Sequence, residues 1–141
     1  MGLGKATLDW HDVINEKEID VIIIGAPSII HKEVALAAIK AGKHVFCEKP
    51  LALTVEDAKI MTEAAEKAGV VTMIGFNYRR VPALAYAKKL IEDGALGEIH
   101  HFRGIYQQDW LTDPEFPLVW RVQSKLAGYG SHGDLGAHVV D

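Results

Sequence analysis

The chain has 141 residues, of which 15 are lysine or arginine and 19 are aspartate or glutamate, giving a net charge of −4. Hydrophobic residues make up 49% of the chain, enough apolar surface to offset the entropy of ordering, so a disordered protein is excluded. Neither charge sign is concentrated in a block, whereas nucleic-acid binding requires clustered positive charge. We therefore expect a folded protein with no nucleic-acid partner.

The apolar run 21–30 and the single cysteine indicate where in the cell the protein is located. The apolar run 21–30 is interrupted by Gly25 and Pro27 and falls well below the roughly 20 residues of a membrane span. It also lacks a basic leader and so does not resemble a signal peptide. The single cysteine, Cys47, cannot form an intrachain disulfide and fits a reducing compartment. We expect no membrane partner and a cytoplasmic location.

Short apolar strands alternate with amphipathic helices in the first half of the chain. Val21–Ile24 is fully apolar and rich in β-branched residues, which predicts a strand buried on both faces of a parallel sheet. His44–Cys47 and residues 70–75 predict two further strands. Helical spacing predicts a helix over residues 30–41, ended by a left-handed cap at Gly42.

The next two predicted helices have clear start and stop signals. Thr54, with Asp57 three residues later, predicts a capped helix start, and that helix runs to Gly69. Pro82 suits the first turn of a helix that ends at Gly94.

The pattern changes after residue 94. Residues 98–110 alternate roughly between apolar and polar, which predicts one long strand of a mixed or antiparallel sheet. Residues 111–133 contain two prolines and several glycines and predict an irregular segment, and residues 134–141 predict the beginning of a helix. We place a domain boundary near residues 75–79.

Together the elements predict an α/β fold in two parts. Three parallel strands with crossover helices form half of a doubly wound sheet. Residues 1–76 are predicted to be the C-terminal half of a Rossmann-type parallel sheet, and residues 77–141 the start of an α+β domain.

Lys49 is the first candidate for chemistry. A strand ends in Glu48-Lys49-Pro50, so Lys49 emerges at the carboxyl end of a parallel strand, where ligands bind in open α/β sheets. Pro50 disfavours the helical region for Lys49 and holds the ammonium on a stiffened turn. For a lone lysine, a solvated surface position is nevertheless the more common outcome.

The second candidate is the segment Gly133-Asp134-Leu135-Gly136-Ala137-His138. In a helix Asp134 and His138 lie one turn apart on one face, and a carboxylate beside an imidazole suits a general base. The alternatives are an N-cap aspartate with a histidine near a helix start, and a metal site that includes His132. The spacing matches no strong zinc signature, so we predict no metal.

Two weaker clusters carry polar side chains. Asn77 and Arg79 follow the third predicted strand at the same carboxyl edge as Lys49. Trp120 and Arg121 follow a proline-containing loop and together offer an aromatic wall and a donor for a polyhydroxylated ligand. Each cluster alone is more often packing or surface charge.

Six short motifs occur in one order along the chain. They are Pro27-Ser28-Ile29-Ile30-His31, AGKHVFCEKP, GFNYR, Leu96-Gly97-Glu98-Ile99, Trp120-Arg121 and GDLGAHVVD. In this order and spacing the chain resembles the glucose–fructose oxidoreductase / inositol dehydrogenase / MocA-type family of NAD(P)-dependent oxidoreductases. The resemblance covers essentially the whole chain.

The resemblance implies an enzyme that oxidises a secondary alcohol of a sugar or cyclitol-like substrate, with NAD or NADP as cofactor. It implies that Lys49 contacts the reacting hydroxyl, that His138 takes its proton and that Asp134 orients the pair. The residues it places near the cofactor are Pro27, Ser28, His31, Glu48 and Lys49. The residues it places on the substrate side are Asn77, Arg79, Trp120 and Arg121. The family more often has asparagine at the position of Ser28.

The chain departs from the family pattern at its beginning. The family starts with a strand and a GxGxxG turn that cradles the pyrophosphate, whereas Gly2 and Gly4 follow no strand. We therefore expect a fragment lacking the GxGxxG half, with the family's chemistry but inactive alone. The alternative is a non-catalytic remnant or assembly module. Unpaired strand edges at Val21–Ile24 and residues 98–110 predict a homo-oligomer.

Overall fold

The computed structural model describes residues 4–128 and 130–141. In chain order its helices and strands are α1 (Trp10–Asn15), β1 (Val21–Ile24), α2 (His31–Lys40), β2 (His44–Cys47), α3 (Val55–Ala68), β3 (Thr72–Ile74), α4 (Pro82–Glu92), α5 (Ser124–Ala127) and α6 (Ala137–Val140). Tighter or wider helical turns lie at Ser28–Ile30, Asn77–Arg80, Trp120–Val122 and His132–Gly136. Residues 1–3, on which part of the prediction for Gly2 and Gly4 falls, lie outside the described residues.

The strands of the described residues form one parallel sheet in the order β1-β2-β3. Val21 of β1 pairs with His44, and Val45 of β2 pairs with Thr72. Each parallel connection needs a crossover, which α2 and α3 supply, and their common right-handed sense places both helices on one face of the sheet. The predicted α/β fold with a Rossmann-type half sheet is confirmed.

The helices begin and end at the capping residues that the sequence predicts. The Thr54 hydroxyl accepts a hydrogen bond from the Asp57 amide at 3.1 Å, and α3 ends at Gly69 with a left-handed φ of 65°. Gly42 has a φ of 74° directly after α2, and Pro82 occupies the first position of α4. Within residues 4–128 and 130–141, no helix combines the length and apolar character that crossing a membrane requires.

The core lies between one face of the sheet and the two crossover helices. Ile22 and Ile24 of β1 are 6% and 3% exposed, whereas Val21 is 50% and Ile23 74% exposed. The prediction that β1 is buried on both faces is therefore wrong. A fully apolar strand does not reveal whether helices cover one face or both, and in the described residues they cover one.

The prediction of a long strand over residues 98–110 is also wrong. These residues are nearly all exposed, and no strand of the described ranges lies beside them to accept their backbone hydrogen bonds. Ile99 and Phe102 are 53% and 74% exposed. Alternation of apolar and polar residues predicts an extended backbone. A strand forms only where a neighbouring strand provides partners for its backbone hydrogen bonds.

Candidate active site

The end of β2 delivers Lys49 to the carboxyl edge of the sheet. The strand ends at Cys47, and the Glu48 amide donates to the Ile24 carbonyl at 3.0 Å, which keeps the departing chain beside β1. Gly75, after β3, donates to the Cys47 carbonyl at 2.8 Å. Lys49 therefore lies where the loops after all three strands converge, and its side chain is only 14% exposed. The Lys49–Pro50 peptide is cis.

Lys49 meets Asp134, which is 85 positions away in sequence. Its Nζ donates to the Asp134 carboxylate at 2.5 Å and to the Asp134 main-chain carbonyl at 2.7 Å. Asp134 lies in the π-helical turn His132–Gly136, a kind of turn that occurs frequently at functional sites. A lysine ammonium has three N–H donors, so these contacts leave one for another acceptor.

A cleft of about 100 Å³ opens beside this ion pair. Its walls come from the loops after β1 and β2 and from the segment around α5 and the π-helical turn, and the lining residues are Gly25, Ala26, Ser28, Glu48, Lys49, Pro50, Trp120, Arg121, Ala127, Gly130 and Asp134. The Arg121 guanidinium carbon lies 4.4 Å from the centre of the Trp120 ring, a cation–π contact that forms one wall. The cleft therefore combines a partly buried ammonium, carboxylates and an aromatic surface.

The structure brings together six of the residues singled out from the sequence. Those that line the cleft are Ser28, Glu48, Lys49, Trp120, Arg121 and Asp134. Pro27 lies in the same loop, between Ala26 and Ser28. His31 instead lies behind the cleft wall at 1% exposure, and both of its ring nitrogens contact main-chain carbonyls. Asn77, Arg79 and His138 are not part of the lining.

His138 lies in an aromatic pocket next to the cleft. Its ring centre is 4.5 Å from that of Tyr78, 6.0 Å from that of Phe76 and 6.1 Å from that of Tyr106. Burial lowers the pKa of His138 below its ordinary value of 6.5, and the positive charge of Lys49 lowers it further, against the opposing effect of nearby carboxylates. A histidine with a lowered pKa is neutral near pH 7 and can accept a proton.

The expectation that Asp134 orients His138 does not appear in the structure as a direct contact between their side chains. No hydrogen bond joins these two described residues, because the Asp134 carboxylate is directed at Lys49. The Nδ1 atom of His138 is buried and has no hydrogen-bond partner among the described residues. Asp134 thus acts on the pKa of His138 through its negative charge, which opposes the lowering caused by burial.

Two tyrosines also lie at the site, although no strong sequence pattern predicts them there. The hydroxyls of Tyr78 and Tyr106 are 2.5 Å apart, and this hydrogen bond raises the pKa of Tyr78. Tyr78 belongs to the GFNYR motif, so its position at the sheet edge was foreseeable. Tyr106 comes from the exposed segment 98–110, and nothing in that pattern indicates that it reaches His138.

Arg79 is engaged outside the cleft. Its Nε donates to both carboxylate oxygens of Asp141 at 2.9 Å, and its Nη2 donates to one of them at 2.6 Å. This pairing lowers the pKa of Asp141. A direct contact of Arg79 with a substrate stays a prediction, whereas the structure gives it the role of fixing the end of α6 to the loop after β3.

A larger cavity, of about 710 Å³, lies between the sheet and helices α2 and α3. Its walls are mainly apolar, from residues such as Ile39, Met61 and Ile74, and the thiol that lines it belongs to Cys47. Burial raises the pKa of the Cys47 thiol to about 12, with a further contribution from Glu48. A protonated thiol is a poor nucleophile or metal ligand. The smaller cleft is therefore the better candidate site.

No group of three histidine, cysteine, aspartate or glutamate side chains within the described ranges is placed to hold a metal ion. The Lys49–Asp134 ion pair and the neighbouring imidazole of His138 are titratable groups at this edge of the sheet.

Comparisons with known proteins agree with the motifs. Residues 4–76 match the family model "Oxidoreductase family, NAD-binding Rossmann fold", and residues 84–141 match the "GFO/IDH/MocA C-terminal domain". The chain is 50% identical to levoglucosan dehydrogenase of Pseudarthrobacter phenanthrenivorans, over 99% of this chain and 36% of that protein. It is 34% identical to scyllo-inositol 2-dehydrogenase (NADP⁺) of Bacillus subtilis, over 94% of this chain and 36% of that protein.

A solved structure matches as well. Levoglucosan dehydrogenase in complex with NADH and levoglucosan superposes with a TM-score of 0.90 at 51% identity, covering 95% of this chain and 36% of that chain. The chain thus spans about 36% of the length of these relatives. The matches confirm the resemblance predicted from the six motifs: the chain belongs to the GFO/IDH/MocA family of oxidoreductases, whose N-terminal domain is an NAD-binding Rossmann fold.

Proposed function

We propose that the protein to which these residues belong is an NAD(P)-dependent dehydrogenase that oxidises a secondary alcohol of a sugar or cyclitol-like substrate. The observation that carries the proposal is the meeting of Lys49 and Asp134, 2.5 Å apart on the wall of a cleft at the carboxyl edge of parallel strands. The relatives named for levoglucosan and scyllo-inositol support the substrate class.

The residues of the cleft fit one end of a dinucleotide. Its volume of about 100 Å³ is below the roughly 300–1,000 Å³ of a complete ligand pocket, so it matches a single ring with its substituents. Ser28, Glu48 and Lys49 offer a hydroxyl, a carboxylate and an ammonium to a nicotinamide and a substrate hydroxyl. We assign Pro27 to the same loop wall. NAD is supported by the family model and NADP by the scyllo-inositol relative.

The side chains divide the reaction between them. The ammonium of Lys49 donates its remaining hydrogen bond to the substrate hydroxyl and stabilises the negative charge that develops on the oxygen. His138 takes the hydroxyl proton, and Asp134 holds Lys49 in place. As the O–H bond breaks toward His138, the C–H bond breaks with its electron pair, and the alcohol becomes a carbonyl. Bound NAD or NADP supplies the hydride acceptor at the nicotinamide C4.

Trp120 and Arg121 are assigned to the substrate side of the cleft. Their cation–π pair presents a flat ring and a guanidinium to a polyhydroxylated molecule. Asn77 is exposed at the same edge of the sheet and could extend this side toward solvent. Arg79 does not line the cleft, and we assign it an indirect role through its ion pair with Asp141.

The organisation of the protein is part of the proposal. A division into residues 1–76 and 77–141 is supported by the separate family matches to residues 4–76 and 84–141.

Self-association through β1 is supported by its edge position and by the exposure of Val21 and Ile23. A cytoplasmic location is supported by Cys47, the single cysteine, which is buried.

The competing function is an assembly module that keeps the fold without the reaction. The exposed apolar side chains of Ile23 and Met73, on the uncovered face of the sheet, favour it because such a surface suits contact with another protein.

A turnover assay separates the two functions. The protein to which these residues belong is incubated with NAD⁺ or NADP⁺ and with levoglucosan or inositols, and the reduced nicotinamide is followed by its absorbance. The dehydrogenase proposal expects turnover that Lys49→Met lowers by about 10²-fold or more. Lys40→Met, which changes an exposed lysine on α2, serves as the matched control and should leave the rate unchanged. Absence of turnover by that whole protein on any of these substrates would favour the assembly module.

A further inference from the structure

His31 connects the two loops that form the cleft. It begins α2, is 1% exposed and lies between the loop after β1 and the loop after β2. Its Nδ1 is 2.9 Å from the Pro50 carbonyl oxygen, and its Nε2 is 2.9 Å from the Ala26 carbonyl oxygen. Ala26 and Pro50 both line the cleft. One buried ring therefore reaches both cleft walls from behind.

The two contacts tie one ring to both loops. The Pro50 carbonyl belongs to the loop after β2 and the Ala26 carbonyl to the loop after β1, and each oxygen lies 2.9 Å from one ring nitrogen. We propose that His31 is a positioning residue, whose buried ring braces the loops after β1 and β2 at a fixed spacing.

The brace has a consequence for the neighbouring side chains. Ala26 is two residues from Ser28, and Pro50 directly follows Lys49. Fixing both carbonyls on one rigid ring thus fixes where Ser28 and Lys49 face each other across the cleft. The inference extends the proposed function, because it assigns His31 to support of the cofactor cleft instead of contact with the cofactor.

The test asks whether the ring couples the two loops. Hydrogen exchange is compared at the Ile30 amide, bonded to Pro27 in the first loop, and at the Glu48 amide, bonded to Ile24 at the start of the second. His31→Phe keeps an aromatic ring but removes both ring nitrogens, and should accelerate exchange at both amides by about tenfold, as loss of a buried hydrogen bond does.

His31→Gln restores one donor group and is expected to bring exchange part of the way back. The Val70 amide, bonded to Ala65 after α3, is the control site and should not change. Acceleration at one loop alone, or at neither, would contradict the brace. Because this test does not depend on cofactor binding or turnover, failure of the brace and failure of the proposed function are separate results.

Discussion

At the scale of single residues, the pair Lys49–Asp134 joins the two parts of the chain. Each residue belongs to a short motif that the sequence displays, and their contact at 2.5 Å closes a separation of 85 positions. The motifs predicted that both residues are functional, but a sequence motif does not give the distance between two residues in the folded chain. That Asp134 pairs with Lys49 instead of His138 follows from the path of the π-helical turn, which no local pattern encodes.

Lys49→Met tests the structural part of this pairing. The change leaves the Asp134 carboxylate, whose side chain is 31% exposed, without its main partner. We expect a loss of about 1–3 kcal/mol in the free energy of unfolding, the usual cost of removing one partner of a hydrogen-bonded group in a partly buried place. Urea unfolding followed by tryptophan fluorescence measures it.

Asp134→Asn is the matched variant, because the amide retains an acceptor for Lys49 without the negative charge. It should lose less stability than Lys49→Met. An unfolding midpoint that stays at the wild-type value in Lys49→Met would show that the pair contributes nothing to the fold.

His138 provides a prediction for pH dependence. Its folded-state pKa is lowered, mainly by burial, so the unfolded chain binds this proton at a higher pH than the folded chain. The contribution of His138 to stability is therefore present above the ordinary histidine pKa and is lost as the pH falls through and below 6.5. His138→Leu should reduce the decline of the unfolding free energy between about pH 7.5 and pH 5.

His100→Gln is the control for this measurement, since His100 is exposed. It should keep the pH profile of the wild type. Identical profiles for wild type and His138→Leu would mean that burial does not oppose protonation of His138.

At the scale of elements, the sheet has one covered and one open face. Ile22 and Ile23 are neighbours in β1 with opposite surroundings, at 6% and 74% exposure. Ile22→Ala should lower the free energy of unfolding by about 2–5 kcal/mol, as truncation of a buried isoleucine does. Ile23→Ala should change it by no more than about 0.5 kcal/mol, as is usual at exposed sites. Urea unfolding compares the two, and equal losses would contradict the one-sided core.

The sequence predicted the elements that depend on local signals. His44–Cys47 has its predicted bounds, and the Thr54 cap and the Gly69 stop follow from side-chain and backbone preferences within a few residues. Residues 98–110 show the opposite case, because a strand needs a partner whose presence is not a local property. The same holds for the exposure of Ile23, which depends on what covers the sheet.

At the scale of the whole molecule, the exposed edge of β1 predicts association of the chain with itself. Val21 and Ile23 present unpaired backbone beside apolar side chains, and such an edge is a template for another strand. We expect sedimentation of the chain at micromolar concentration to show a species heavier than 15.5 kDa. Ile23→Lys should shift the distribution toward the monomer, because a charged side chain on an edge strand opposes pairing. A monomer in the wild type would contradict the prediction.

Cofactor binding at the cleft tests the central claim most directly. NADH and NADPH are titrated against the purified chain, with tryptophan quenching and calorimetry as readouts. Trp120 lines the cleft, whereas Trp10 lies in α1 and Trp110 packs against Phe116. We predict saturable quenching that Trp120→Phe largely removes and that Trp10→Phe and Trp110→Phe retain. No saturation up to millimolar cofactor, or quenching that survives in Trp120→Phe, would contradict a cofactor site at Lys49 and Asp134.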